Sequence, residues 1–451
     1  MLGWRILAEG EYKLDMPELT GEEKQLVLLA QDRFREAARS HASADKEEMR
    51  GLVDGLLASA AHESGLYLER SQQAYLAEIA FMHICGFAFI ERLLEDPAIE
   101  EISVIGPGKP VYVYLRKQGW RSVNACFDDE RSIGEMINRM SRALGRHITM
   151  QNPRLDAMLP DGSRLHASLP PVSHGEITIR RFREKPFSPR ELAENGTISP
   201  DAMALLSVLM QCDFSILIAG NTASGKTTTM NALFSFIPWN ERVIITEETP
   251  EINVPHQHQM RLVANRDMGI SLKDLVYDSL RMRPDRMVVG EVRNREETEA
   301  LFDVLLAGQA RGSYATFHAQ SADEALSRLR SFGVREDDLS SVDCIIVQRR
   351  MLLYDAKTRS AREARRVVEI METEGRTPLY KDGGGGIAKK GMLLERAAEG
   401  FGMSAKEMES ELAKRKKAIM RAGPDYASFF SSVQKEFYGF SGNERRDGVA
   451  R

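Results

Sequence analysis

From residue 199 onward, short apolar runs alternate with stretches of helical periodicity. Residues 215–219, 243–246, 287–289, 313–316 and 344–347 are mostly apolar and three to five residues long. Such alternation predicts an α/β fold, a parallel sheet with helices on both faces. Ligands in sheets of this kind gather at the carboxyl ends of the strands.

The first half reads differently. Residues 22–39 carry helical apolar spacing at Leu26, Leu29 and Phe34, and residues 1–75 read as a polar, helical appendage. Residues 75–94 read as one helix stopped by Asp96-Pro97. Its apolar run, 79–90, contains His83 and is too short to cross a bilayer, so it reads as a buried helix. Residues 101–105 and 111–115 have strand composition around the turn Gly106-Pro107-Gly108; a helix over 130–144 and strands near 164–168 and 176–182 follow. The division expected is an appendage (1–75), a small α+β domain (76–186), a linker (187–200), an α/β domain (201–372), a glycine-rich linker (373–391) and a charged tail (392–451). Glycines 383–386 mark the break, and the helix beyond them reads as solvated.

The chemistry starts where the first of the later apolar runs ends. Gly220, Asn221, Thr222, Ala223, Ser224, Gly225, Lys226 and Thr227 form a complete G-x-x-x-x-G-K-[ST] loop between a predicted strand (214–219) and a predicted helix (227–236), with Thr228 as the next contact. Glycines let the backbone curl so that its N–H groups point at phosphate oxygens, and the helix start adds its dipole. Lys226 is expected to reach the β- and γ-phosphates of ATP, and Thr227 to place its hydroxyl on Mg²⁺.

Composition narrows the classes. Acidic residues number 66 against 61 basic, a net charge of -5, which argues against a nucleic acid as main partner. Cys85, Cys126, Cys212 and Cys344 lie far apart, without the spacing of a disulfide framework or a zinc site, so a reducing cytoplasm is expected. Residues 1–13 show no apolar signal core. A membrane connection is therefore expected through a partner.

Three further motifs follow the loop. In residues 243–251 a β-rich run ends in Glu247 and Glu248, where a carboxylate is placed to polarise attacking water. In residues 280–293 a buried strand ends in Gly290-Glu291, and Glu291 is expected to hold Mg²⁺ through water. In residues 312–320, Thr316 and His318 lie at a strand end, where they are placed to sense the γ-phosphate.

With these residues the chain resembles the secretion ATPase superfamily of type II and type IV secretion systems, type IV pili and archaella. Residues 220–227 match its Walker A, 246–252 its acidic box, 284–293 its Walker B with glycine before glutamate, and 312–319 its histidine box. The wording of the loop, followed by Phe236-Ile237-Pro238, is most similar to the archaeal branch. The acidic box departs from the family's Glu-Asp in reading Glu247-Glu248. The resemblance covers roughly residues 85–372. It implies a RecA-like P-loop NTPase domain preceded by a small α+β domain, with Glu247 as the candidate for water activation. It also implies arginines given to a neighbouring subunit's site: Arg164, in Asp161-Gly162-Ser163-Arg164, and Arg180 stand at the matching positions, with Arg281 and Arg283 as weaker candidates. Arginine suits that task because its planar, permanently charged fork matches the charge of a transferring phosphoryl group.

The reading is an ATP-hydrolysing motor, expected as a homohexamer at the cytoplasmic face of the membrane. A polytopic platform protein would turn domain movement into pilin assembly or export. The rivals are a RecA-like nucleic-acid motor, a GTPase switch, and a ring scaffold that binds ATP without turnover. No basic–aromatic stripe favours the first. No Asn-Lys-x-Asp motif favours the second, Asn265-Arg266-Asp267 not being one.

Overall fold

The structure is a computed structural model describing residues 5–6, 11–14, 19–37, 46–84, 86–115, 118–146, 148–181, 185–265, 268–308, 310–384, 386–388 and 391–440. The expectations that fall on Cys85, Phe182, Arg266, Asp267 and Gly385, and most of those on residues 1–10, lie outside these residues. The chain divides into two compact units, Met1–Glu184 and Lys185–Arg451.

The first unit contains β1 (Arg5–Ile6), β2 (Glu11–Lys13), α1 (Gly21–Ala37), α2 (Lys46–Glu63), α3 (Arg70–Ile84), α4 (Phe89–Glu95), β3 (Ile99–Val104), β4 (Pro110–Leu115), β5 (Gly119–Cys126), α5 (Glu130–Ala143), β6 (Arg154–Met158), β7 (Arg164–Ser168) and β8 (Glu176–Arg180). Helices α1–α3 pack around a core of their own that includes Leu26, Leu57, Leu76 and Ile79. The strands form one sheet in the order β1-β2-β5-β4-β3-β8-β7-β6. Helix α5 is capped by Asp129, which accepts from Ser132 N. Its Ile133, Met136, Ile137 and Met140 recur at helical spacing and are buried with the sheet's apolar side chains.

Two expectations change here. Residues 11–13 are a strand, not part of a helical appendage: Tyr12 is buried and donates to Asp96 Oδ2 at 2.7 Å, pinning β2 beside β5. The apolar run 79–90 is two helices rather than one. Ala88 adopts φ 51, and a side chain at Gly86 would collide with Met82 O and Glu91. The apolar run continues across the break, so the break is local backbone geometry that apolar patterning does not encode.

The second unit contains α6 (Pro189–Glu194), α7 (Pro200–Gln211), β9 (Ile216–Gly220), α8 (Lys226–Leu233), β10 (Val243–Glu247), β11 (Gln259–Val263), α9 (Leu272–Ser279), β12 (Arg286–Val292), α10 (Arg295–Ala307), β13 (Gly312–Phe317), α11 (Ala322–Ser331), β14 (Cys344–Asp355), β15 (Ser360–Glu372), β16 (Pro378–Lys381), α12 (Met392–Gly400), α13 (Ala405–Arg421) and α14 (Tyr426–Tyr438). The sheet order is β11-β10-β12-β13-β9-β14-β15-β16. Strands β11 through β14 in that order are parallel; the apolar runs predict all of them except β11, and β15 and β16 add antiparallel strands. Sheet structure thus continues past residue 372 into the expected glycine-rich linker, to Lys381. One face carries a core with α7 and α8, the other a core with α9, α10 and α11.

The tail is not a solvated helix. Leu393, Met408, Ile419, Phe429 and Val433 belong to the same buried core as α7 and Phe236. Arg415, 3% exposed, donates to Ser207 O at 3.1 Å and Gln211 Oε1 at 2.6 Å, and its guanidinium lies over the Phe437 ring. The charge of α13 hides this stripe because charged residues dominate its composition while its apolar positions keep helical spacing.

Candidate active site

Strand β9 ends at Gly220 between β13 and β14, with Ala219 opposite Phe317 and Gly220 opposite Gln348. Any side chain at Gly220 would collide with the Gln348 carbonyl and the Ser224 hydroxyl. Ala223 (φ 58) and Gly225 (φ 95) both turn through the left-handed region, and α8 begins at the next residue. Two such turns curl successive N–H groups inward, the geometry of an anion nest. Asn221 fixes the loop's rim to β14: its Oδ1 accepts from Arg350 N at 2.9 Å and its Nδ2 donates to Arg350 O at 3.3 Å. The ammonium of Lys226, mostly buried, lies 3.2 Å from Gly220 O and 3.4 Å from Asn221 O.

At the carboxyl end of β10, Glu247 is 1% exposed. Its Oε1 accepts from Glu251 N at 2.7 Å and Ile252 N at 2.8 Å. Its Oε2 lies 3.3 Å from Arg261 Nε, an ion-pair distance without hydrogen-bond alignment, so that oxygen accepts no hydrogen bond from the described residues. Burial pushes the carboxyl up to about 7, against the lowering effect of the two N–H groups and Arg261. The water-activating residue expected here is therefore built into the wall and shapes the loop that follows. The carboxylate that turns to the phosphate loop is Glu251, whose Oε2 accepts from Thr227 Oγ1 at 3.2 Å. Asn231 on α8 holds that loop from beneath, donating to Glu251 O at 3.1 Å and accepting from Asn253 N at 2.9 Å.

At the end of β12, Glu291 is a member of an ion cluster. His318 Nε2 lies 2.8 Å from its Oε1, Arg293 Nε 2.7 Å from its Oε2, and Arg293 also pairs with Glu248. Burial raises the Glu291 carboxyl, but Arg293, His318 and Lys226 outweigh it and hold it below the ordinary range. His318 is lowered by burial and by Lys226 more than Glu291 raises it, so a neutral imidazole donates its Nε2–H to Glu291. Thr316 donates to Gly290 O at 2.6 Å, away from the loop. Gly290 explains its own motif: a side chain there would come 3.0 Å from Glu247 Cγ.

In the first unit, Arg164 and Arg180 are direct cross-strand partners on β7 and β8. The turn before Arg164 is fixed by Asp161, which accepts from Ser163 N at 3.0 Å and Ser163 Oγ at 2.8 Å. Arg281 pairs with Asp278 at 3.6 Å on the surface, and Arg283 turns through φ 50. The structure thus gathers Lys226, Thr227, Glu291 and His318 at neighbouring strand ends and adds Glu251, Arg293 and Asn231, which sequence reasoning missed. Glu251 was within reach as the third acid of the box; nothing in the sequence pointed to Asn231.

The arrangement fits a nucleoside triphosphate with Mg²⁺. A nest of N–H groups and an ammonium face one point, and the Thr227 hydroxyl and two carboxylates lie beside it. Mg²⁺ at such sites is held through one or two carboxylates plus phosphates, not in an all-protein cage. Among the described residues no group of three or more His, Cys, Asp or Glu side chains forms such a cage.

The model of the Type II/IV secretion system protein family matches residues 84–423. An uncharacterized protein of Methanocaldococcus jannaschii is 33% identical over 315 residues, which is 68% of this chain and 55% of that protein. A second from the same organism is 36% identical over 234 residues, 49% of this chain and 32% of that one. This chain therefore spans about half, or less, of the length of these two relatives. The type IV secretion system protein VirB11 of Bartonella quintana is 29% identical over 283 residues, 53% of this chain and 78% of its own. The X-ray structure of the Legionella pneumophila ATPase DotB matches 73% of this chain and 87% of that one at 18% identity, with a TM-score of 0.47. With three quarters of its length under the family model, the chain belongs to the type II/IV secretion system protein family.

Proposed function

We propose that the chain is the ATP-hydrolysing motor of a type II/IV secretion, type IV pilus or archaellum-like system. It acts as a homohexamer at the cytoplasmic face of the membrane, where a polytopic platform protein turns its movement into pilin assembly or protein export. One observation carries the reading: Lys226, the Thr227–Glu251 contact and the Glu291–His318 pair converge on the phosphate loop at the carboxyl ends of parallel strands. Gly220, Asn221, Thr222, Ala223, Ser224, Gly225, Lys226, Thr227 and Thr228 take the phosphates. Thr227, with Glu291 through water, would hold Mg²⁺, and the ion would supply positive charge to the phosphoryl oxygens. Glu251 orients the attacking water, and Glu247 holds the Glu251 backbone in place. His318 keeps Glu291 aimed and ionised. Among the described residues no single helix is long and apolar enough to cross a membrane, consistent with attachment through a partner.

The reading is tested at Lys226. Its ammonium lies against the loop carbonyls of Gly220 and Asn221, so Lys226→Ala should weaken ATP binding about a hundredfold, a loss typical of a charge-assisted contact, and abolish turnover while the far-ultraviolet circular dichroism is unchanged. Undiminished hydrolysis in the folded variant would sink the assignment. Stimulation of hydrolysis by single-stranded DNA would favour the nucleic-acid motor, and tight ATP binding without turnover in the wild-type protein a scaffold.

Arg164 and Arg180 are proposed to act across a subunit boundary, because a cross-strand arginine pair on the first unit offers two guanidinium groups side by side. Either alanine variant should keep ATP binding and lose hydrolysis by about a thousandfold. Mixing one with Glu291→Gln should restore activity at interfaces that pair an intact Glu291 with an intact arginine. Mixed rings, verified by native mass spectrometry, that stay inactive at every ratio would assign the arginines to their own subunit.

A further inference from the structure

We propose that Gln348 is a positioning residue of the phosphate loop, whose side-chain carbonyl gains its hydrogen bond when the loop closes on phosphate. The inference rests on the nucleotide-binding reading above and adds a residue that none of the motifs contains. Strand β14 starts Cys-Ile-Ile-Val, all fully buried, and its next residue is Gln348, equally buried at 1% exposure. A glutamine amide in such a place is costly unless satisfied. Among the described residues its Oε1 nevertheless has no hydrogen-bond partner.

The position of that amide is specific. Gln348 pairs with Gly220, the first residue of the loop, and its Nε2 lies 3.0 Å from where a side chain on Gly225 would begin. The β14–β15 register shifts between Val347 and Gln348, so the ladder is interrupted at this residue. The hydroxyl of Ser224, between the two glycines, is likewise fully buried and has no partner among the described residues. Two orphaned polar atoms thus flank one turn of backbone, the turn that must wrap phosphate. Asn221 joins the rim of the same turn to β14 through Arg350, two residues beyond Gln348.

Buried unsatisfied acceptors destabilise the state that contains them, and a ligand that heals them binds more tightly for it. A small inward movement of the loop would bring Ser224 Oγ–H or a loop N–H onto the Gln348 carbonyl. Part of the free energy of phosphate binding then comes from completing this contact, and β14 registers whether the loop is occupied.

The test uses ADP and the full chain. Gln348→Met keeps the volume and removes the amide. It should raise the melting temperature of the nucleotide-free protein by a few degrees and weaken ADP binding about tenfold, measured by calorimetry. A structural glutamine would give the opposite first result and leave the second unmoved, and that outcome overturns the proposal. On the wild-type protein, ADP should slow amide hydrogen exchange at residues 346–350 together with 221–225. Slowing at 221–225 alone also overturns it, whatever the folding of the variant. If the wild-type chain binds no ADP at all, the nucleotide-binding reading itself fails, and the two failures are thereby told apart.

Discussion

Strands β10 and β12 are hydrogen-bonded parallel neighbours, and each carries a glutamate at its carboxyl end, Glu247 as the last residue of β10 and Glu291 as the last but one of β12. Their carboxylates nonetheless differ in state. Glu247 is sealed off, bonded to backbone N–H groups and pushed up to about 7. Glu291 is held below its ordinary range by Arg293 and His318. The difference comes from one step of geometry. Gly290 carries β12 past the Glu247 side chain with no Cβ to crowd it, so Glu291 emerges one residue further along, among cations. A residue type at a strand end does not determine a role; the partners that its depth provides do.

The sharpest way to break this contrast is at the ionised member. Glu291→Gln should slow hydrolysis by roughly two to four orders of magnitude, as expected when a charge beside the phosphoryl group is lost. ATP binding should survive. A variant that hydrolyses at the wild-type rate would remove Glu291 from the site.

Within the acidic box the ranking is the test. Glu251→Gln should cost about a hundredfold in turnover, in the range of a lost general base, and Glu247→Gln about tenfold, since the amide oxygen still accepts from the backbone. The reverse order would return the water contact to Glu247.

The pH dependence separates the two carboxylates by stability. Unfolded, Glu247 releases its proton near 4.5; folded, it keeps it until about pH 7. Folding takes up a proton in that window, so stability falls as pH rises from about 4.5 through 7. Glu247→Gln should flatten that slope in urea titrations and gain on the order of 3 kcal/mol at pH 8. Glu291, lowered, contributes with the opposite sign: its stabilisation is present above the ordinary carboxylate range and is lost as pH falls through its folded value. A wild-type profile that rises from pH 5 to 8 would contradict the burial of Glu247.

The smallest effect is expected at Gly290→Ala, where a methyl group 3.0 Å from Glu247 Cγ must push it aside. Overpacking of this kind costs about 1 kcal/mol or somewhat more, a few degrees of melting temperature. Unchanged stability would mean that the two strand ends are independent.

The parallel core was legible in the sequence because strands buried on both faces leave continuous apolar runs, and β9, β10, β12, β13 and β14 all begin within one residue of such a run. Strand β11 was not: Gln259–Val263 is almost entirely exposed, and Arg261 interrupts its apolar residues. The phosphate loop was legible because its chemistry needs fixed residues at fixed spacing. Glu251 and Asn231 were not singled out, because their meaning lies in contacts that close only when the loop after β10 folds back over α8. The tail was misjudged because α13 mixes many charges with a narrow apolar stripe, and Arg415 itself is interior.

That tail has a consequence for how the chain is cut and copied. Tyr426, at the start of α14, donates to Asn231 O at 2.8 Å, and Asn231 supports the backbone of Glu251. A fragment ending at the glycine run would retain all four motifs and read as a complete nucleotide-binding module, yet it would lose the prop beneath its acidic loop and leave Phe236 without the rings of Phe429 and Phe437 that pack against it. The glycines are a seam in composition, not a place where the molecule comes apart. In gene fusions, truncations or transplanted domains, the inheritable unit runs through residue 438.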